Sequence, residues 1–248
     1  MKKIFFVLIL FFSLLGFCAN ASNPYPPFIA GKNCIKRVVA LTFDDGPHLT
    51  TTPNLLNTLR DYNAKATFFV VGRDASMCPD LVYREAYDGH EIGLHSYYHE
   101  DLTHMSTEEI DFEVGAPKVL VEGITKKPVR FFRAPGGQYN SSVVESLYRH
   151  DLSYVFWNVL AGDYTDKNGK EPSPDLIASR VISAVYPGAI VVLHDGLPQT
   201  AQALPLILET LKDNGYEFVT VSELIKTRNN LYYFAKPVET VEKQVRPD

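Results

Sequence analysis

Seven short apolar runs, each followed by a segment of helical periodicity, constrain this chain more than any other feature. The runs cover residues 38–43, 66–72, 91–95, 129–133, 154–159, 189–193 and 217–221. Several are contiguous and rich in β-branched or aromatic residues, the pattern of parallel strands covered on both faces. Between them, Leu55, Leu56, Leu59 and Tyr62 fall at helical spacing, and Ser106-Thr107-Glu108-Glu109 carries a capping-box signature. Ser173-Pro174 opens a helix bearing Leu176, Ile177, Val181, Ile182 and Val185, with Gly188 closing it. Leu204, Ile207, Leu208 and Leu211 precede Gly215, a C′ glycine by its position. Seven strand–helix units without a sequence repeat predict an α/β domain with a parallel sheet. Periodicity does not separate an open sheet from a closed one. Polar clusters at 44–45, 95–99, 133–138, 163 and 194 follow the ends of the runs and favour a barrel, where such ends converge on one face.

The first residues have a different character. Lys2-Lys3, an apolar stretch over 4–17 and Ala19-Asn20-Ala21 read as a secretory signal peptide cut after Ala21. The alternative is an uncleaved anchor, but the stretch is roughly 14 residues where ~20 are needed to span a bilayer. A lipoprotein site at Cys18 is a weaker alternative, because Phe17 is bulky where a small residue is expected. No later apolar run is long enough to span, so an exported, periplasmic or secreted protein without stable membrane insertion is expected. The organisation is a leader (1–21), an N-terminal extension (22–36), one main domain (37–226) and a charged tail (227–248) without clear periodicity. A formal net charge of −5, more negative without the leader lysines, argues against nucleic acid or anionic membrane as partners. Cleavage leaves Cys34 and Cys78, and an even count in an exported chain makes one disulfide between them an expectation. Two unpaired thiols are the alternative.

The chemistry sits at the ends of the runs. Asp44-Asp45-Gly46, taken alone, reads as a turn. His95 and His99, four apart after another run, are surface or capping histidines if isolated. They can also face one point if the chain turns helical there. Together, an aspartate at one strand end and two histidines at another make a two-histidine, one-carboxylate metal site with open positions. Arg133, before Pro135-Gly136-Gly137, is of a type to pair with a buried carboxylate and hold it ionised. The glycines allow close backbone approach and an exposed N–H for an oxyanion, although this stretch alone is an ordinary turn. His194 ends the sixth run and is a candidate general acid, with Asp163 placed to orient it and raise its pKa. Asp195, Asp166, His48, His90, His104 and His150 read as structural or solvent-exposed.

With these residues in place, the chain resembles the polysaccharide deacetylase family, carbohydrate esterase family 4, over residues 37–225. Thr42-Phe43-Asp44-Asp45-Gly46-Pro47 and His95-Ser96-Tyr97-Tyr98-His99 match its first two motifs. Arg133-Ala134-Pro135-Gly136-Gly137 through Asn140 matches the third, and Val191-Val192-Leu193-His194 the fifth. The resemblance implies a distorted (β/α)7 barrel in a single domain, and the following roles. Asp44 is the general base, tethered by Arg133, and Asp45 ligates one divalent metal, usually zinc, with His95 and His99. The Gly136 N–H helps bind the oxyanion, and His194, tuned by Asp163, is the general acid. Tyr164 and Leu193 would line the pocket for the acetyl methyl group.

Two departures stand out. The fourth motif, normally Asp-x-x-Asp-Trp, reads Leu160-Ala161-Gly162-Asp163-Tyr164, and Gly136 stands where the family often has tyrosine. The implied activity is removal of N-acetyl groups, as acetate, from N-acetylglucosamine-type residues of an extracellular or cell-wall polysaccharide by a monomer. The alternatives are an O-acetyl esterase on acetylated xylan or a similar glycan, and a noncatalytic carbohydrate-binding relative. Asn140-Ser141-Ser142 is a glycosylation sequon only in a glycosylating host.

Overall fold

Nine strands and eight α-helices succeed one another in the computed structural model, which describes residues 28–31, 34–166 and 168–227. The leader, most of the N-terminal extension and the tail beyond residue 227 lie outside the described residues. The strands are β1 (Phe28–Ile29), β2 (Val38–Asp44), β3 (Ala66–Val70), β4 (Glu91–Leu94), β5 (Phe131–Phe132), β6 (Ser153–Val155), β7 (Val159–Leu160), β8 (Ile190–His194) and β9 (Glu217–Phe218). The helices are α1 (Thr52–Asp61), α2 (Gly72–Met77), α3 (Pro79–Tyr87), α4 (Thr107–Thr125), α5 (Ser141–Arg149), α6 (Pro174–Ala184), α7 (Pro198–Asp213) and α8 (Val221–Lys226). No helix among the described residues is long and apolar enough to cross a membrane.

Every strand pairing is parallel, in the order β1-β6-β5-β4-β3-β2-β8-β7, with β9 added to the start of β2. The sheet curls into the distorted (β/α)7 barrel expected. β6 and β7, read from sequence as one run, lie far apart in this order, β7 at one end and β6 next to β1 at the other. Between them the chain bridges the gap, Phe156 donating its N–H to Ile29 and Asn158 to Ile190. β1, a two-residue strand in the N-terminal extension, was not legible in the sequence; its pairing with β6 is a long-range contact that no local pattern encodes.

Side chains alternate across the sheet and so divide the core in two. Val39, Leu41, Phe43, Val191 and Leu193 pack outward against the helices with Leu55, Leu56, Val114, Leu204 and Ile207. Val38, Ala40, Phe69, Phe131, Val155 and Ile190 face the concave side, where Val221, Leu224 and Ile225 of α8 plug the strand starts. Gly93 shares that inner side because a Cβ there would meet the Phe69 ring at 2.5 Å. Continued toward the strand ends, the same inner face carries Thr42, Asp44, His95, Arg133 and His194. An apolar floor thus leads up to a polar mouth.

The helix termini follow local sequence chemistry. Ser106 and Glu109 form the capping box that starts α4, and the Ser173 hydroxyl accepts from the Leu176 N–H at the start of α6. Gly215 follows the C-cap of α7 at φ +79°, whereas α6 already ends at Ala184, short of Gly188. The expected disulfide is not formed. Cys34 and Cys78 are free thiols on separate elements, Cys34 donating its S–H to the Lys36 carbonyl before β2, Cys78 capping the junction of α2 and α3.

Candidate active site

Asp44 is the last residue of β2, and its carboxylate meets Arg133 at the centre of the barrel mouth. Arg133 Nη1 donates to Asp44 Oδ1 at 2.7 Å and to Thr42 Oγ1 at 2.8 Å, while Nε donates to the Val155 carbonyl at 3.1 Å. The guanidinium is fully buried and lies over the Phe69 ring, 4.2 Å from its centroid. Asp44 Oδ2 is left facing His95 Nε2 at 3.9 Å. The two aspartates therefore have different company, although they are adjacent in sequence.

Asp45 turns away from Asp44 through a left-handed conformation (φ +75°), which aspartate tolerates better than most residues. Its Oδ1 lies 3.3 Å from His95 Nε2 and 3.0 Å from His99 Nε2, and its Oδ2 accepts the Tyr164 hydroxyl. Ser96 and His99 are also left-handed (φ +61° and +63°), so the segment after β4 bends tightly enough to bring His99 back over the site. His95 Nδ1 donates to the Arg133 carbonyl at 2.7 Å, which leaves Nε2 as the lone-pair nitrogen facing Asp45. One ligand atom from each of Asp45, His95 and His99 lies within 4.8 Å of the other two.

This donor set fits a divalent metal. Asp45 Oδ1 is buried and accepts no hydrogen bond, a costly state for a carboxylate oxygen unless a cation faces it. Burial pushes the Asp45 carboxyl up, but the imidazoles of His95 and His99 outweigh it and hold it well below the usual carboxylate range. The same Asp45 contact raises the His99 imidazole against the opposing effect of burial. Two imidazoles and one carboxylate with open positions match zinc or a similar borderline ion.

The third group comes from β8. His194 Nδ1 donates to Asp163 Oδ1 at 2.8 Å, which fixes the tautomer and leaves Nε2 as the free ring nitrogen. Asp163 is fully buried, accepts the His194 N–H and Thr200 Oγ1 on its other oxygen, and is tied through its carbonyl to Gln199. Burial pushes the His194 pKa down, but the Asp163 carboxylate outweighs it, so the imidazole stays protonated to higher pH than usual. The Tyr164 ring lies against that of His194 at 4.1 Å between centroids.

Gly136 adopts φ +61°, and the surrounding turn is closed by the N–H groups of Gly137 and Gln138 rather than by its own. Leu193 does not line a pocket here. It is fully buried in the outer core, because strand alternation turns it away from the face that carries His194. The residue of β8 that shares the inner face is Val192. Tyr164 does line the open cleft of about 400 Å³, together with Asp45, His48, Arg73, Tyr98, His99, Asp195 and Leu197.

Asp195, read from the sequence as structural or solvent-exposed, is a buried structural residue, whereas Glu113 and Phe112 were not singled out. Asp195 accepts Thr51 Oγ1 at 2.5 Å, Thr52 Oγ1 and its own loop through the Gly196 N–H, and it donates its backbone N–H to the Asp44 carbonyl at 2.8 Å. It latches the Asp44–Gly46 turn onto β8 and α1. Glu113 of α4 is buried and accepts the N–H groups of Tyr97 and Tyr98 at 2.8 and 2.9 Å, bracing the segment that carries His99. Phe112, beside it, packs on the same tyrosines. A glutamate on the Ile110–Val114–Pro117–Val121 face of a helix was the available signal. His90 is structural, as read: burial lowers its pKa to about 4 and Nδ1 accepts the Ala66 N–H.

The family model for polysaccharide deacetylase matches residues 31–155. The peptidoglycan-N-acetylglucosamine deacetylase PgdA of Listeria monocytogenes is 38% identical over 200 residues, which cover 80% of this chain and 41% of that protein. The chain thus spans less than half the length of that relative. Among solved structures, the Bc1960 peptidoglycan N-acetylglucosamine deacetylase superposes with a TM-score of 0.75 at 30% identity, over 83% of this chain and 96% of that one. A carbohydrate esterase family 4 pseudoenzyme from Bacillus anthracis superposes with a TM-score of 0.73 at 29% identity, over 81% and 69% of the two chains. Family model, relatives and fold agree, and the chain belongs to the polysaccharide deacetylase family.

Proposed function

We propose that this protein is a metal-dependent hydrolase that removes N-acetyl groups, as acetate, from N-acetylglucosamine-type residues of an exported or cell-wall glycan. The observation that carries the reading is the division of labour between neighbours: Asp44 is held by Arg133 and kept apart from the Asp45–His95–His99 group. A divalent ion held by Asp45, His95 and His99, zinc by the chemistry of the donors, would polarise the acetyl carbonyl and lower the pKa of water there toward ~7.

The chain's own residues account for the remaining requirements of amide hydrolysis. Asp44 Oδ2 takes the proton of the attacking water, and Arg133 with Thr42 fixes the carboxylate in one orientation. The Gly136 N–H donates to the developing oxyanion. His194 gives its Nε2 proton to the departing sugar nitrogen, and the Asp163 carboxylate offsets the positive charge that it carries beforehand. Tyr164 holds the second oxygen of Asp45 where the family pattern has a tryptophan.

A pseudoenzyme among the structural neighbours makes turnover a matter of residues rather than of fold. Here every group assigned a chemical part is present, and the leader expected over 1–21 would deliver the protein to the compartment where such glycans lie. The test is acetate release from chitooligosaccharides, peptidoglycan and acetylated xylan, each with and without added zinc. Release from the N-acetylated substrates, dependent on zinc, is expected. Release from xylan alone would assign the site to O-acetyl ester cleavage, and binding without release would make the chain a noncatalytic relative.

A further inference from the structure

We infer that Tyr98 and Phe112 form a stacking subsite for the pyranose ring next to the one whose acetyl group is removed, an inference that rests on the deacetylase reading. The two residues are 48% and 47% exposed and adjoin each other. Their rings pack on each other with an interplanar angle of 26° and centroids 6.1 Å apart, and form one aromatic pair. Tyr97 supports it from behind, edge-on to Tyr98 at 4.7 Å and tilted against Phe112 at 5.1 Å.

The platform is built rather than incidental. Buried Glu113 accepts the backbone N–H groups of both tyrosines, so α4 fixes their backbone with one residue and supplies the second ring with the residue before it. Tyr97 in turn fits against Gly72, where an added Cβ would meet its ring at 2.6 Å and Pro117 at 3.0 Å. This fixing costs the rings rotamer freedom in advance, which lowers the cost of binding.

Position and chemistry identify the occupant. Tyr98 lines the same cleft as Asp45, His99 and Tyr164, and is bonded directly to His99. A glycan whose acetylated ring sits at Asp44 and His194 must carry its neighbouring rings out of that cleft, which Tyr98 lines on the β4 side with Phe112 packed against it. The faces of the two rings are electron-rich and attract the C–H face of a pyranose, while the Tyr98 hydroxyl remains for a sugar hydroxyl. Neither ring carries a charge, which suits a neutral sugar better than a charged peptide.

The test compares zinc-loaded full-length wild type with Phe112→Ala, Tyr98→Ala and Tyr98→Phe on N-acetylglucosamine oligomers of two and five rings. Both alanine variants should lower the ratio of kcat/KM for the pentamer to that for the dimer by roughly tenfold, through KM, and Tyr98→Phe should retain most of it. An unchanged ratio overturns the inference. Binding of the pentamer, followed by calorimetry, reads the platform separately from turnover. If wild type binds but releases no acetate, the deacetylase reading fails, while weaker binding by Phe112→Ala still supports the subsite and equal binding overturns it. Loss confined to peptide-bearing muropeptides would assign the surface to the stem peptide. A change in sedimentation would assign it to self-association. Either result overturns the sugar subsite.

Discussion

Arg133 Nη1 lies 2.7 Å from Asp44 Oδ1, and the guanidinium that makes this bond has no exposure to solvent. A charge placed there is tolerated because Thr42, the Val155 carbonyl and the face of Phe69 take up the rest of it. Remove the arginine and the aspartate is left buried without its partner. Arg133→Met should therefore destabilise the fold by about 3–5 kcal/mol. The shift of the urea midpoint against wild type measures it.

His194 has to arrive protonated to act as an acid. Asp163 outweighs burial and raises its pKa, so the protonated form persists to higher pH, and under the proposed mechanism activity should persist with it. In Asp163→Asn the raising charge is gone while burial still pushes downward. The alkaline limb of the kcat profile should move to lower pH, with kcat reduced at neutral pH. A profile of kcat from pH 5 to 10 checks this. An unmoved limb would show that Asp163 does not tune His194.

Tyr164 holds Asp45 Oδ2 and leaves Oδ1 facing the two histidines. Such supporting contacts typically tune metal affinity by 10–100-fold. Tyr164→Phe keeps the ring against His194 and removes only the hydroxyl. Zinc affinity, read by competition with a chromophoric chelator, should fall by about 10-fold or more.

Glu85 is buried with both carboxylate oxygens unpartnered. Burial, with the Asp195 charge second, pushes its pKa well above its ordinary 4.5. The folded chain keeps a proton that the unfolded chain releases around its ordinary pKa, so wild-type stability falls as pH rises between the unfolded and folded values. Glu85→Gln carries no such proton. It should match wild type near pH 4 and become the more stable protein as pH approaches 8, as denaturant midpoints at the two pH values would show.

Much of this architecture was legible because the chemistry is written at strand ends. The runs over 38–43 and 189–193 stop just before Asp44 and His194, the last residues of strands β2 and β8, and parallel strands bring such ends to one face. What the sequence withheld depended on direction and distance. Leu193 and His194 are adjacent, yet the pleat sends one to the outer core and the other to the site. The parity of Cys34 and Cys78 gives no information on separation. Phe28–Ile29 is too short to signal a strand without β6 beside it. Glu113 and Phe112 act on a segment 15 residues away in sequence for the Tyr98 N–H bond, and only folding reveals that pairing.

The central claim is that Asp44 and Asp45 do different work, and metal content with rate, measured together on Asp44→Asn and Asp45→Asn, tests it most directly. Asp44→Asn should bind one equivalent of zinc as wild type does and release acetate from a chitooligosaccharide some 10²–10⁴-fold more slowly. Asp45→Asn should lose the zinc. Wild-type turnover by Asp44→Asn, or loss of zinc from it while Asp45→Asn keeps its metal, would contradict the account.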